Sequence, residues 1–410
     1  MDTNRKRGLL KDALGAGEGI LRLAPAWVPR SFLVPGGRLK LAPRDMYALG
    51  AHRGGIDERW LASTTRADNG PETPEDEGLS YVVVKDGAGA EKILLKEAIE
   101  LIGDRILGDA VMATHGGWMV LCKLFDNAGP IPHHLHPGDE HAARVGRVGK
   151  PEAYYYPPQL NFVEQQFPYT FLGLEPGTTK QDVIRCLERW DQGDNGILDH
   201  SKAYRLRPGM GWNIPPGILH APGTLVTYEP QKASDVASLF QSMVDGRPMT
   251  WDSLVKDVPE SLHHDLDYIV GMVDWEQNVD PEFAQHHALI PKSVQAPEAM
   301  KEAGYKENWV SFEAEEFSAK ELTVSPGRSV KIRDAAAYGL ICVQGRGMIG
   351  KLAVASPTMI RFGALTEDEY FVTAYAAAEG VTITNQSAYE DLVLLKHFGP
   401  GNPDMSQGAA

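Results

Sequence analysis

The segment Gly129–Tyr156, GPIPHHLHPGDEHAARVGRVGKPEAYYY, carries two histidines that can share one face of a strand. His134 and His136 are two residues apart, and alternate side chains of an extended strand project from the same side. Paired imidazoles bind divalent metal ions, and a carboxylate often completes such a site. Glu140 follows the turn and Glu152 lies on the next expected strand. The residue types do not choose between these two carboxylates.

A further histidine follows a Pro-Pro-Gly turn in WNIPPGILHAPG, where His220 begins a short strand. We predict that it joins the histidine pair as a metal ligand. Three nitrogens and one carboxylate oxygen, with space for water or substrate, are typical of a catalytic metal site. Strand alternation turns His133 away from His134. We therefore expect His133 and His141 at the surface or behind the ligands.

The overall composition indicates a cytoplasmic protein that binds a small molecule. The 410 residues have a net charge of -15, which disfavours a nucleic acid or an anionic membrane as partner. The apolar runs are shorter than the roughly 18 residues that span a bilayer. Three widely spaced cysteines, Cys122, Cys186 and Cys342, suit a reducing compartment. We expect a monomer or a homodimer.

Short strands separated by glycine and proline dominate the chain and predict antiparallel sandwiches or barrels. One expected strand is NFVEQQF, and the clearest early helix is 92–108. The pairs His263-His264 and His286-His287 are expected to face solvent. The expected organisation is an N-terminal arm (1–44), a metal-binding β domain with a helical insertion (45–248), a helical linker (249–300), a metal-free β domain (301–402) and a disordered tail (403–410).

Five segments, in this order, resemble a known enzyme family. They are IDERWLAST, MVLCKLFDNAGPIPHHLHPGDEHA, GKPEAYYY, WNIPPGILHAPG and LVTYEPQKASD. The histidine pair, the glutamate and the later histidine resemble the cupins, and the five segments together resemble the type I mannose-6-phosphate isomerases in their bicupin form. The resemblance implies a mostly β fold of two cupin (double-stranded β-helix, or jelly-roll) domains with added helices.

The resemblance also implies roles for individual residues. It assigns the metal carboxylate to Glu152 and implies one divalent metal ion, most simply Zn²⁺, with Mn²⁺, Fe²⁺, Co²⁺ or Ni²⁺ as substitutes. Lys123 and Lys150 match the active-site lysines of the family. Glu58 and Trp60 match its glutamate-tryptophan strand and are expected to bind substrate.

The sequence departs from the family at positions near the expected site. His134 stands where the family has glutamine, and imidazole also suits zinc. Leu239 lies at or next to the place of an active-site arginine, which removes a cation with bidentate reach. Tyr47-Ala-Leu-Gly replaces an aromatic Tyr-x-Trp-Gly motif.

The chemistry that this site implies is aldose–ketose isomerisation through an enediol, on a sugar or a sugar phosphate. A nearby dication favours loss of the Lys150 proton, so Lys150 is the first candidate base, with Lys123 and Glu229 as alternatives. Four cations could form a phosphate-binding rim: Arg144, Arg147, Lys202 and Arg205. The same ligand set also fits two other functions, an iron(II) cupin oxygenase and a non-catalytic sugar-binding cupin.

Overall fold

The computed structural model describes residues 1–87, 89–162 and 167–407, and it is mostly β-sheet with several short helices. Within these ranges, no helix is long and apolar enough to cross a membrane. The strands of the first 160 residues are β1 (Ile20–Ala24), β2 (Ala26–Pro29), β3 (Ile56–Leu61), β4 (Tyr81–Lys85), β5 (Glu91–Leu94), β6 (Val120–Phe125), β7 (His134–Leu135) and β8 (Glu152–Tyr155).

The later strands follow in two groups. The first group is β9 (Tyr169–Leu174), β10 (Ser201–Arg205), β11 (Gly211–Ile214), β12 (His220–Ala221), β13 (Thr227–Lys232), β14 (Ser238–Leu239), β15 (Met243–Val244) and β16 (Arg247–Pro248). The second group is β17 (Ala288–Leu289), β18 (Lys292–Ser293), β19 (Tyr305–Ser311), β20 (Ser318–Val324), β21 (Ser329–Ile332), β22 (Tyr338–Gln344), β23 (Arg346–Ile349), β24 (Leu352–Ala355), β25 (Glu369–Val372), β26 (Val381–Asn385) and β27 (Leu392–Phe398).

Helices lie around these strands. The α-helices are α1 (Thr3–Ala16), α2 (Leu95–Leu107), α3 (Asp109–His115), α4 (Asp139–Ala143), α5 (Lys180–Leu187), α6 (Trp251–Val255), α7 (Leu266–Gly271), α8 (Trp275–Asn278), α9 (Phe283–His287), α10 (Pro297–Ala303) and α11 (Ala374–Glu379). Short 3-10 helices lie at Pro43–Asp45, Ala51–Arg53, Pro158–Leu160, Trp190–Gln192, Ile197–His200, Glu260–Leu262 and Pro403–Gln407.

Four sheets stack as layers. The five-stranded sheet has the order β10-β9-β12-β7-β14, and the seven-stranded sheet has the order β17-β11-β8-β13-β6-β3-β2. The nine-stranded sheet has the order β18-β19-β20-β27-β22-β25-β1-β4-β5, and the four-stranded sheet has the order β21-β26-β23-β24. One apolar cluster joins the five- and seven-stranded sheets, another joins the nine- and four-stranded sheets, and the largest lies between the seven- and nine-stranded sheets. The prediction of a mostly β, cupin-type fold with added helices is confirmed.

The seven-stranded sheet is an inner layer, which explains the nearly continuous apolar run of β6. All six residues of β6 are buried, because neighbouring sheets cover both faces. Cys122 and Leu124 belong to the apolar cluster shared with the nine-stranded sheet. Lys123 lies between them in sequence and projects from the opposite face, toward the five-stranded sheet. The alternation of side chains therefore places a buried lysine in the first sandwich.

A buried arginine links the seven-stranded sheet to the nine-stranded sheet. The Arg59 guanidinium donates to both oxygens of Asp368, at 2.7 and 2.8 Å, and to Glu369 Oε2 at 2.9 Å. Burial raises the pKa of Glu369 to about 7, even though Arg59 opposes that shift. Two carboxylates therefore depend on one cation in the interior.

Replacing this cation should destabilise the fold. The variant Arg59→Met leaves Asp368 and Glu369 buried without their partner, and we expect the free energy of unfolding to fall by about 3 kcal/mol. Urea denaturation measures the change. The control Arg5→Met removes an exposed ion pair with Glu91 and should cost less than about 1 kcal/mol. Equal losses in the two variants would contradict a stabilising role for the buried pairs.

Several sequence expectations need correction. Within the expected N-terminal arm, β1 is an inner strand that pairs with both β25 and β4, and β2 is an edge strand that pairs with β3. The expected helix 92–108 begins only at Leu95, since Glu91–Leu94 pairs with β4. In the expected disordered tail, Pro403–Gln407 is a 3-10 helix and residues 408–410 lie outside the described ranges. Residues 163–166 of the expected strand NFVEQQF also lie outside them.

Candidate metal centre

Three histidines and one glutamate converge between the five- and seven-stranded sheets. His134 in β7 is paired directly with His220 in β12, and His136 follows β7 on the same face. Glu152 begins β8 in the facing sheet, where it is paired with Ile214 and Gln231. Strand pairing therefore brings together the four side chains that were predicted as metal ligands.

The donor atoms of these side chains are close together and buried. The ring nitrogens available as ligands on His134, His136 and His220 all lie within 4.8 Å of one another. Glu152 Oε1 is 3.1 Å from His220 Nε2, and Glu152 Oε2 is 3.1 Å from His136 Nε2. Among the described residues, Glu152 Oε1 and His220 Nε2 make no hydrogen bond although both atoms are buried, whereas Glu152 Oε2 faces the Lys150 ammonium at 2.8 Å. Buried atoms without hydrogen bonds fit a bound cation.

Backbone carbonyls orient each imidazole. The Nδ1–H groups of His134, His136 and His220 donate to the carbonyl oxygens of Pro132 at 2.6 Å, Val236 at 2.7 Å and Ile218 at 2.8 Å, respectively. This bond places the proton on Nδ1 and leaves the lone pair on Nε2 for a metal ion. The same second contact recurs in all three rings.

The protonation states also suit a metal ion. Burial, helped by neighbouring positive groups, lowers the pKa of His136 to about 4 and that of His134 well below its ordinary value. Burial alone would raise the pKa of Glu152, but Lys150 and His136 outweigh it and hold that pKa well below its usual range. Neutral imidazoles and an ionised carboxylate are the forms that bind a divalent metal.

The alternative carboxylate and the neighbouring histidines lie elsewhere. Glu140 is in α4 with its side chain 80% exposed, where it pairs with Arg144. His133 is fully buried, which excludes the surface position but not a position behind the ligands, and its ring contacts Ser201 Oγ at 3.1 Å. His141 is partly buried against the ring of Tyr268. His287, which was expected to face solvent, is buried and stacks on the α9 residue Phe283.

The three candidate acid–base residues form a chain beside the metal ligands. Lys150 Nζ lies 2.8 Å from Glu152 Oε2 and 3.0 Å from His136 Nε2. Glu229 Oε1 lies 3.4 Å from Lys150 Nζ and 3.2 Å from Lys123 Nζ. Burial and the charge of Glu152 raise the pKa of Glu229 to about 8. A group with a pKa near neutrality can both accept and donate a proton.

These residues line a cavity of about 160 Å³. Its size suits a small ligand, since cavities for drug-sized molecules are about 300–1,000 Å³. Glu58 and Leu239 line this cavity, whereas Trp60 is fully buried behind it and donates to Glu58 Oε2 at 2.7 Å. Leu239, which the resemblance places at or next to an arginine, thus lies in the cavity wall.

The expected phosphate rim is not part of the cavity wall. Arg144 pairs with Glu140 on the exposed face of α4, and Lys202 donates to the backbone carbonyl of Asp280. Neither these two cations nor Arg147 and Arg205 are among the residues that line the cavity.

Several lining residues were not predicted. Arg30 follows β2 and donates to Asp235 Oδ1 at 3.0 Å, with Glu58 Oε2 at 3.2 Å. No local pattern in the sequence marked Arg30, because its partners are distant along the chain. Tyr154 also lines the cavity, and its spacing from Glu152 on one strand face could have indicated it. Asp68 and Lys256 complete the opening of the cavity.

The same fold occurs in solved isomerase structures. A mannose 6-phosphate isomerase from Bacillus subtilis is similar with a TM-score of 0.59 over 92% of this chain and 99% of that chain, at 16% identity. The fold is that of the mannose-6-phosphate isomerases. A variant of phosphomannose isomerase from Salmonella typhimurium has a TM-score of 0.59 at 14% identity, and it covers 93% of this chain and 100% of that chain.

A third similar structure is described as a zinc-bound mannose 6-phosphate isomerase. Its TM-score is 0.60 at 14% identity, over 93% of this chain and 100% of that chain. The chain matches no protein-family model and no curated protein sequence. At this identity the similarity shows the fold alone. The buried histidine group of this chain independently suggests a divalent metal ion.

Proposed function

We propose that the protein is a metal-dependent isomerase that interconverts an aldose and a ketose. The observation that carries this proposal is the position of the acid–base chain. Lys150 contacts two of the candidate metal ligands, and Glu229 and Lys123 continue from it along the cavity wall. Isomerisation requires both functions at one place, charge stabilisation on oxygen and proton transfer at carbon.

The proposed ligands are His134, His136, Glu152 and His220, and the proposed ion is zinc. Imidazole and carboxylate are zinc donors, and one of the similar structures is described as zinc-bound. A bound dication supplies Lewis-acid stabilisation of the negative charge that develops on the sugar oxygens. The ligand shell is oriented by the backbone carbonyls described above.

The reaction moves protons without any net oxidation. The C2–H bond of the aldose breaks, its electron pair forms the C1=C2 bond of an enediol, and the carbonyl oxygen gains a proton. A proton is then added at C1 while the O2 hydroxyl loses its proton, which yields the ketose. We assign the carbon-to-carbon transfer to Lys150, with Glu229 exchanging protons between Lys150 and Lys123.

Isotope exchange tests this function. The zinc-loaded protein in D₂O should incorporate deuterium into a substrate aldose at carbon and form the ketose, while the protein treated with a chelator should do neither. Substrate-dependent oxygen consumption by the iron(II)-loaded protein would instead support the cupin oxygenase. Sugar binding without exchange, with any of the divalent ions, would support a non-catalytic sugar-binding protein.

A further inference from the structure

We propose that the cavity is built for an uncharged sugar and disfavours a phosphate ester. This inference rests on the proposed isomerase function and specifies its substrate class. Five acidic and four basic side chains line the cavity. The acidic residues are Glu58, Asp68, Glu152, Glu229 and Asp235, and the basic residues are Arg30, Lys123, Lys150 and Lys256. Each basic side chain is already paired within this set.

Arg30 and Lys123, the two basic residues that contact Glu58, each have two acidic partners. Arg30 pairs with Glu58 at 3.2 Å and with Asp235 at 3.0 Å. Lys123 pairs with Glu58 at 3.6 Å and with Glu229 at 3.2 Å. All of these side chains are at most 13% exposed. A phosphate that contacted Arg30 would lie beside two buried carboxylates, which disfavours a second anion.

The basic residue beside the metal ligands is paired in the same way. Lys150 contacts Glu152 at 2.8 Å and Glu229 at 3.4 Å. At the opening, Lys256 Nζ lies 3.3 Å from Asp68 Oδ2 and donates to the Asp68 carbonyl at 3.2 Å. Arg147, just outside the lining, also pairs with Asp68 at 3.2 Å. Both cations at the opening therefore share one carboxylate, which offsets part of their charge.

The groove that adjoins the opening is also lined by paired cations. An adjoining groove of about 650 Å³ shares Asp68 and Lys256 with the cavity. Its other basic side chains, His52 and Arg53, contact Glu72 at 3.0 Å and Glu77 at 2.7 Å. A phosphate extending from the cavity would meet paired cations and further carboxylates.

Hydroxyl groups suit this lining better than a dianion. Each sugar hydroxyl can donate to a carboxylate and accept from a lysine or arginine without separating an ion pair. Part of the wall is apolar, since Leu239 lines the cavity and is 8% exposed. The paired acidic and basic side chains of the lining can therefore bind a polyol that carries no charge.

Binding of unreactive polyols tests the inference independently of turnover. Calorimetry on the zinc-loaded protein would compare sorbitol with sorbitol 6-phosphate. We expect the dissociation constant of the phosphate ester to be higher by at least about tenfold. A phosphate ester that binds equally well or more tightly would overturn the inference.

A matched pair of variants tests the cause of this preference. Asp68→Asn releases Lys256 and Arg147 at the opening, so the ratio of the two dissociation constants should shift toward the phosphate ester by about fivefold or more. Glu140→Gln releases Arg144 on α4, outside the cavity, and should leave the ratio unchanged. Leu239→Arg places a cation in the wall and should shift the ratio in the same direction as Asp68→Asn. An unchanged ratio in both cavity variants would refute the role of paired charges.

Turnover separates this inference from the proposed function. Free aldohexoses and their 6-phosphates are assayed side by side with the zinc-loaded protein. Higher kcat/KM on free sugars supports both statements. Higher kcat/KM on the phosphates refutes the uncharged-substrate inference and keeps the isomerase. Absence of turnover on either class counts against the isomerase, while the polyol measurements still decide the charge preference.

Discussion

Zinc affinity should fall by more than about 100-fold when His220 is replaced by alanine, because loss of a direct ligand costs more than loss of a group behind one. His220 is fully buried, and its Nε2 is 3.1 Å from Glu152 Oε1. Equilibrium dialysis against a competing chelator measures the change. Zinc-dependent turnover should disappear in the same variant at zinc concentrations that saturate the wild-type protein.

Buried histidine elsewhere provides the control. His397 is also fully buried, and its Nδ1 lies 3.0 Å from Tyr228 Oη between the seven- and nine-stranded sheets. The variant His397→Ala perturbs the interior to a similar degree but should retain wild-type zinc affinity. Equal zinc loss in both variants would mean that a general loss of structure, not the loss of a ligand, explains the result.

The two candidate carboxylates can be separated by an isosteric pair. Glu152→Gln removes the charge that contacts His136 and His220, and it should weaken zinc binding as His220→Ala does. Glu140→Gln alters an exposed side chain of α4 and should have no effect on zinc. If Glu140→Gln weakened zinc binding and Glu152→Gln did not, the carboxylate ligand would be Glu140, in the segment after β7.

The fold class could be predicted from the sequence because the necessary information is local. Short alternating or apolar runs separated by glycine and proline indicate antiparallel strands wherever they occur. The sheet to which each strand belongs could not be predicted in this way, because it depends on pairing between distant segments. β1 is a five-residue strand in a proline-rich region, and it is ordered by pairing with β25, about 350 residues later. Such long-range pairing leaves no periodic signal in the strand itself.

The candidate site also combines features that are local in the sequence with features that depend on long-range contacts. The spacing of His134 and His136 indicates a shared face at once, since strand alternation is a local property. The choice of Glu152 over Glu140 came from the family resemblance, because residue type alone left both open. Charge alone suggested Arg144 as a phosphate contact, but the short helix α4 directs it to the surface. Arg30 went unnoticed because Glu58 and Asp235 reach it only through the pairing of distant strands.

Replacing Lys150 by methionine should separate metal binding from proton transfer. The Lys150 ammonium lies within 3.0 Å of Glu152 Oε2 and His136 Nε2, so its charge opposes a dication at the same atoms. We therefore expect Lys150→Met to bind zinc at least as tightly as the wild-type protein. Loss of the acid–base group should lower kcat by about 1,000-fold. Equilibrium dialysis and the deuterium-exchange assay measure the two effects on the same preparation.

The matched control is Lys256→Met, which removes a lysine at the opening that is 35% exposed and has no metal ligand among its contacts. It should change KM more than kcat, since Lys256 lies at the opening and contacts Asp68 rather than an acid–base residue. If Lys150→Met keeps the wild-type kcat, proton transfer must be carried out by Glu229 or Lys123 instead of Lys150. In that case Glu229→Gln should be the variant that loses turnover, because Glu229 contacts both Lys123 and Lys150, at 3.2 and 3.4 Å. Full activity in both Lys150→Met and Glu229→Gln would refute the acid–base role of these residues. It would also refute the isomerase proposal, which rests on that role.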